Sequence, residues 1–335
     1  MSLEPYAPQE AVTDFLEDQK EGQAKNTVQN YKYALRPFVD FCHENQIENL
    51  NDLTGRRLKE FKRWRGKQVA LTTLRNQMWT LKKFMRFCQA IEAVPHGLPM
   101  KVESLVPPKD GNDSRNEFIE AETADVILGY LEKYEYASLR HVTFLLLWRT
   151  AARQGSIHAL DVDDLVEDPP MLKIRHRPDT GTPLKNKMRG ERNVPLSKED
   201  VEVVKDYLDM NHPGGTDKHG RKPLLMGRSV RAQKTTIQRN VYTLTRPCHF
   251  GQECPHDRDP DDCEATTYNT ASKCPSSVSP HSIRKGRIMY LLDNDVSIED
   301  VSDLVNSGYD TIKQYYDKRS KTEKSEKIRQ TMPDC

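Results

Sequence analysis

The chain has 335 residues, enough for two domains of ordinary size. Its 51 basic and 50 acidic side chains nearly cancel, so the average charge indicates no class of partner. No run of apolar residues approaches the ~20 needed to cross a bilayer, and the N-terminus M-S-L-E-P-Y lacks the basic and apolar regions of a signal peptide. We therefore expect a soluble, cytoplasmic protein.

Residues 1–94 predict a compact helical domain. Apolar residues recur at helical spacing after Asn26, again from Leu53, and a third time from about Thr72. Repeated prolines and glycines then break the helical pattern, and we interpret residues 95–116 as a linker. The face of the third helix that we expect in the core consists of Leu74, Met78, Leu81, Phe84, Met85 and Cys88.

Positive charge is concentrated in this first domain. Between Leu53 and Cys88 there are eleven basic residues and one acid, Glu60. Solvated helix faces usually mix both signs, so this excess favours a phosphate-binding surface over an ordinary helix face. The members of this predicted basic surface are Arg56, Arg57, Lys59, Lys62, Arg63, Lys67, Arg75, Lys82 and Lys83.

Residues 117–335 predict a second domain, mainly helical with a small antiparallel β-hairpin. A strongly apolar helix from Leu139 leads into the run T-A-A-R-Q-G-S-I-H-A-L-D-V. A short alternating strand, M-L-K-I-R-H-R, is followed by a basic turn and by R-N-V-P-L-S. Later, Pro280 begins a helix on which His281 and Arg284 share one face. Apolar residues continue at helical spacing as far as two adjacent tyrosines.

Residues 248–274 interrupt this pattern, and we call them the Cys/His insertion. They contain four of the seven cysteines in the chain, and thiolate and imidazole are the ligands that Zn²⁺ prefers. Clustered cysteines in a cytoplasmic protein favour metal over disulfides, so we predict a structural zinc ion, with free reduced thiols as the alternative. The candidate ligands are Cys248, Cys254, His256, Cys263 and Cys274, with His249 as a sixth.

Four of these segments resemble, in the correct order, the signature boxes of the tyrosine recombinase (phage integrase) family. The run T-A-A-R, ending at Arg153, resembles the T-G-x-R box with alanine in place of glycine. The hairpin resembles the family hairpin with its R-x-V-P-L strand, and H-S-I-R followed by a tyrosine about thirty residues later resembles the second box. The Cys/His insertion and the run Y-D-K-R-S are similar to the archaeal branch, including its haloarchaeal members.

The resemblance implies a SAM-like core-binding bundle, followed by a catalytic domain that cleaves and rejoins double-stranded DNA through a 3′-phosphotyrosyl intermediate. It also implies a homo-oligomer on paired sites and no cofactor for the chemistry. The arginines would bind phosphate oxygens, a lysine of the hairpin turn would protonate the leaving oxygen, and His281 would assist proton transfer. The implied catalytic residues are Arg153, Lys187, His281, Arg284 and Tyr316.

Two of these assignments have close rivals. Lys187 lies five residues before Arg192, the family spacing, but hairpin turns vary in length and Lys185 is the alternative. For the nucleophile, Tyr315 lies nine residues after Asn306, where the family usually has a histidine or tryptophan. The following Y-D-K-R-S run instead selects Tyr316, which is also the better placed by helical spacing after Ile312. Asn306 is a candidate accessory residue, a polar donor but no acid.

Other functions are compatible with parts of this pattern. A non-catalytic DNA-binding regulator could use the same two domains, although it would not need the tyrosine. A type IB topoisomerase shares the residue set but relaxes any supercoiled DNA, whereas a recombinase requires paired sites. A zinc-dependent nuclease fits least, because the Cys/His insertion lacks the carboxylates and the open ligand position of such a site.

Overall fold

The structure, a computed structural model, describes residues 5–109, 117–228 and 230–315, together with Ser325 and Arg329. Its contacts divide the chain into two compact units, Met1–Arg115 and Asn116–Cys335. None of the helices in the described part has the length and apolar character needed to span a bilayer.

Unit 1 is a helical bundle. Its helices are α1 (Pro8–Gly22), α2 (Lys25–Glu44), α3 (Gly55–Gly66), α4 (Leu71–Ala90) and α5 (Leu98–Leu105). Thr54 caps α3, since its hydroxyl accepts a hydrogen bond from the N–H of Arg57. The predicted core face of α4 is confirmed, because all six of its apolar residues are buried. Aromatic rings dominate the centre, where Phe38 packs edge-on against Phe61 and Phe84.

The sequence pattern does not predict two of these helices. Helix α1 buries Ala11, Val12 and Phe15 along one face. Helix α5 lies within residues 95–116, which we predicted to be a linker, and it packs against α3 and α4. Gly97 precedes it in the left-handed conformation (φ 80°), and Pro99 occupies its first turn, where a proline loses no hydrogen bond.

Unit 2 is mainly helical with one small sheet. Its helices are α6 (Ala121–Tyr134), α7 (Leu139–Thr150), α8 (Gln154–Ala159), α9 (Lys198–Met210), α10 (Lys234–Leu244), α11 (Pro280–Asp293), α12 (Ile298–Val305) and α13 (Tyr309–Tyr315). The central helix α7 is buried on nearly every side, as its run of apolar residues predicts.

The sheet has three antiparallel strands in the order β1 (Leu165–Val166), β2 (Met171–Ile174) and β3 (Arg192–Pro195). Leu172, in the middle strand, is paired with Leu165 on one side and with Val194 on the other. The predicted fold class, mainly α with a small antiparallel sheet, is confirmed. We call residues 175–191, which join the second strand to the third, the β2–β3 connection.

Two cores stabilise unit 2. The larger lies around α7 and includes Trp148, Leu172, Ile237 and Ile283. A smaller core joins the end of α7 to the last three helices, and it consists of Ala151, Ile288, Leu291, Leu292, Val301, Val305 and Ile312. The Cys/His insertion contains only short 3₁₀ turns, and its few buried apolar residues include Phe250, Ala265 and Ala271.

Candidate active site

The turn between α7 and α8 carries the first candidate arginine. Ala151, which caps the C-terminus of α7, is buried and adopts the left-handed conformation (φ 45°). This conformation costs a residue with a Cβ about 1 kcal/mol, which gives a physical reason for the glycine of the T-G-x-R motif. Arg153 follows as the N-terminal cap of α8 and is half-buried.

Arg284 reaches the same turn from α11. Its side chain is buried, and its Nη1 donates a hydrogen bond of 2.6 Å to the carbonyl oxygen of Ala151. Ser279 caps α11 by accepting from the N–H of Ser282, and Pro280 lies in the first turn. The structure therefore joins the two predicted arginine motifs at one turn.

His281 lies one helical turn before Arg284, on the exposed side of α11. Loss of hydration lowers the pKa of its imidazole below the ordinary value, and the cations Arg284, Arg153, Lys185 and Lys285 lower it further. The neutral imidazole is therefore favoured, and positive charge is concentrated around it.

The predicted lysines lie in the β2–β3 connection, and both are exposed. Lys187 begins a 3₁₀ turn with a left-handed backbone (φ 53°). Lys185 acts electrostatically on His281. The connection forms one wall of a cleft of about 1060 Å³, and the end of α12 forms the other. The residues lining this cleft are Lys185, Asn186, Lys187, Met188, Arg189, Glu191, Arg192, Ser302, Asp303, Asn306, Ser307 and Gly308.

Arg192 is a cation of this cleft that the sequence pattern does not identify as part of the site. Burial lowers the pKa of its guanidinium to about 10, with a further contribution from Arg153. Its Nε donates to the carbonyl oxygen of Leu304 at 2.6 Å, and its Nη1 donates to that of Gly190 at 3.0 Å. Its buried Nη2 has no hydrogen-bond partner among the described residues. Its only signal in the sequence is its position at the start of the R-x-V-P-L strand.

Helix α13 leads to the two candidate nucleophiles. Ile312 anchors this helix in the smaller core, together with Val301 and Val305 of α12. Tyr315 is the last residue of α13, whereas Tyr316 lies outside the described residues. The predicted buried stripe along α12 and α13 is present, since Val305 and Ile312 are buried and Ile298 packs against them.

The predicted basic surface of unit 1 is heterogeneous. Most of its members are exposed or half-buried, and Lys59, Arg63 and Lys67 follow one another at intervals of four along α3. Lys82 differs, because it is buried and pairs with Glu103 of α5 at 2.5 Å. Arg56 and Arg57 both lie close to Glu60, at 3.4 and 3.1 Å. Three of the nine residues therefore have their charge partly or largely balanced within the unit.

Zinc binding by the Cys/His insertion stays a prediction. In the part of the chain that the structure describes, no group of three or more histidine, cysteine or acidic side chains is arranged to hold a metal ion. His256 instead makes a hydrogen bond of 2.8 Å with Ser276, and His249 lies 3.3 Å from the carboxylate of Glu135. The four cysteines of the insertion are free and only partly exposed. Burial raises the pKa of the Cys248 thiol, and the nearby Cys274 and Cys254 raise it further, so three of the predicted ligands lie near one another.

Comparison with known proteins supports this interpretation of the fold. The profile of the phage integrase N-terminal SAM-like domain matches residues 12–90. The N-terminal domain of a phage integrase/site-specific recombinase from Haloarcula marismortui is 31% identical, covering 31% of this chain and 99% of that one, with a TM-score of 0.30. No curated protein matches the sequence.

Two longer solved structures resemble both units. The Tn1549 transposon integrase in complex with a circular intermediate DNA is 12% identical and covers 98% of this chain and 100% of that one, with a TM-score of 0.71. A lambda integrase dimer bound to a COC′ core site is 14% identical and covers 95% of this chain and 79% of that one, with a TM-score of 0.64. At these identities the likeness shows a shared fold. Residues 12–90 therefore match the N-terminal SAM-like domain of phage integrases, and the chain as a whole has the fold of these solved integrases.

Proposed function

We propose that this chain is a site-specific recombinase that cleaves and rejoins double-stranded DNA through a covalent 3′-phosphotyrosyl intermediate. The observation that supports this most directly is the positive charge around His281, which includes Arg153, Arg284 and Lys185. Cations held this close repel one another, and a bound anion relieves the repulsion. For a tyrosine recombinase, the anion that fits this site is a DNA phosphodiester.

In the proposed reaction the tyrosine hydroxyl attacks phosphorus, so that a tyrosine–phosphorus ester forms while the bond to the 5′ oxygen breaks. Arg153 and Arg284 bind the nonbridging oxygens, where negative charge grows in the transition state. His281, whose low pKa favours the neutral form, accepts the tyrosine proton. A lysine of the β2–β3 connection gives a proton to the 5′ oxygen. A 5′ hydroxyl then reverses these steps, and the chemistry uses no cofactor.

Two observations favour different lysines as the general acid. Spacing from Arg192 favours Lys187, as in the family hairpin. The electrostatic effect on His281 favours Lys185. Both side chains line the same cleft, so we propose that one of them is the general acid and that the other contributes positive charge.

We also propose that the chain acts as a homo-oligomer on paired sites, because strand exchange requires two duplexes to be cut together. The lambda integrase of similar fold is a dimer on its core site. Within each protomer, we assign the basic surface of unit 1 to the phosphate backbone, with the exception of the buried Lys82.

The contribution of the basic surface can be measured from the salt dependence of binding. We expect the triple variant K59A/R63A/K67A to make the negative slope of log K against log [salt] shallower by about 2.7, at ~0.9 for each phosphate that the protein no longer neutralises. The control K20A/K25A/K32A removes three exposed lysines from α1 and α2. An equal change of slope in both variants would mean that α3 has no special role.

The proposed function is tested by trapping the covalent intermediate. Duplexes are first selected by binding from a random pool, and each selected duplex is then nicked so that the short strand diffuses away after cleavage. We expect a denaturant-resistant protein–DNA adduct with the phosphate attached to the protein. Tight binding to the selected duplexes without any adduct would instead identify a non-catalytic regulator.

Assays with the same protein and the same selected duplexes distinguish a recombinase from a topoisomerase. A recombinase should join two duplexes that carry the selected site and leave supercoiled plasmids without the site unchanged. Relaxation of plasmids regardless of sequence, with no joining of paired sites, would favour the type IB topoisomerase.

A further inference from the structure

The β2–β3 connection is fastened to the end of α12 by one asparagine. The side-chain Nδ2 of Asn186 donates to Oδ1 of Asn306 at 2.5 Å. The Nδ2 of Asn306 in turn donates to the carbonyl oxygen of Arg189 at 2.6 Å. Both ends of the Asn306 carboxamide are therefore used to hold residues that lie on either side of Lys187.

The backbone of Asn306 is suited to this place. It caps the C-terminus of α12 in the left-handed conformation (φ 51°), which asparagine adopts more readily than most residues. Its N–H donates to the carbonyl oxygen of Asp303 at 3.2 Å, which ends the helix. Arg192 makes a parallel connection, because its Nε binds the carbonyl oxygen of Leu304.

From the end of α12 the chain passes through Gly308 into α13, whose last residue is Tyr315. One carboxamide thus links the segment with Lys185 and Lys187 to the segment that leads to the candidate nucleophiles. We infer that Asn306 is a positioning residue, which holds the general-acid lysine at the distance and angle needed to protonate the 5′ oxygen. This inference rests on the proposed function, and it assigns Asn306 no proton transfer of its own.

The test uses two substrates that differ in one atom. In a nicked duplex whose 5′ bridging oxygen is replaced by sulfur, the leaving thiolate needs no general acid. N306G is compatible with the left-handed backbone and removes the side chain that carries the carboxamide. We expect it to slow adduct formation by about 10²-fold on the oxygen substrate, as misplacement of a catalytic group does. On the sulfur substrate its rate should be close to that of the wild-type protein.

N186A removes the donor of the hydrogen bond to Asn306. It should therefore also be slow on the oxygen substrate and close to the wild-type rate on the sulfur substrate. The double variant N186A/N306G should be no slower than the slower single variant, because the two side chains act as one unit. N294A is the matched control, since Asn294 also caps a helix but its Nδ2 donates only to the carbonyl oxygen of Tyr290, one turn earlier. It should react at the wild-type rate on both substrates.

The outcomes separate this inference from the proposed function. If the wild-type protein forms no adduct on either substrate, the proposed function is wrong and the positioning role is lost with it. If the wild-type protein reacts and N306G is equally fast on oxygen, only the positioning role is wrong. Equal slowing of N306G on oxygen and on sulfur would also overturn it, because the defect would then lie outside leaving-group protonation.

Discussion

Replacing Tyr316 by phenylalanine should abolish the covalent protein–DNA adduct, with a loss on the order of 10⁴-fold or more. The substitution removes the attacking oxygen and leaves the ring. Adjacent helical positions point about 100° apart, so only one of the two tyrosines can face the arginines. Ile312 is fully buried in the smaller core, and the helical spacing of the sequence selects Tyr316, four residues later, as the nucleophile.

The comparison with Y315F makes this prediction specific. We expect Y315F to form the adduct within about tenfold of the wild-type rate, since it retains the nucleophile. Y309F is the control, because Tyr309 is exposed at the start of α13. An adduct that survives in Y316F and disappears in Y315F would assign the nucleophile to Tyr315 instead.

The G286A variant should lose about 2 kcal/mol of stability, which lowers the melting temperature by roughly 4–8 °C. Gly286 lies inside α11, two residues after Arg284, where an added Cβ would lie 2.0 Å from the carbonyl oxygen of Ile119. That oxygen belongs to the main chain and cannot rotate away. Helix propensity favours alanine over glycine by only about 1 kcal/mol, so the steric clash dominates.

G129A is the matched control for this clash. Gly129 lies in the interior of α6, is exposed, and has no atom within 4 Å of an added Cβ. We expect this variant to gain up to about 1 kcal/mol from helix propensity. Thermal unfolding followed by circular dichroism compares the two, and melting temperatures that shift together would contradict the steric explanation.

Local patterns in the sequence predicted the parts of the fold that depend on local physics. The helical period of α4 identified its buried face, and the strongly apolar run from Leu139 predicted the buried helix α7. The same rules missed α5, because repeated proline and glycine predict a linker, although a proline in the first turn is compatible with a helix.

From the sequence, only those residues of the candidate site that belong to a motif could be predicted. The order of the boxes selected Arg153, His281 and Arg284 as candidates, but no local pattern shows that Arg192 lies within electrostatic reach of Arg153 or that Asn306 binds the β2–β3 connection. Those relations depend on tertiary packing between distant segments. Zinc binding likewise stays a prediction, because the number and spacing of cysteines do not show which of them meet.

The hydrogen bond from Arg284 to Ala151 spans 133 residues of sequence, and the one from Arg192 to Leu304 spans 112. During synthesis from the N-terminus, the first arginine motif therefore leaves the ribosome long before its partners exist. Contacts of such sequence separation form late, because loop closure must precede them. Unit 1 has its own core and can fold while most of unit 2 is still being made. Under the proposed function, a nascent chain binds DNA through unit 1 before its catalytic site is complete.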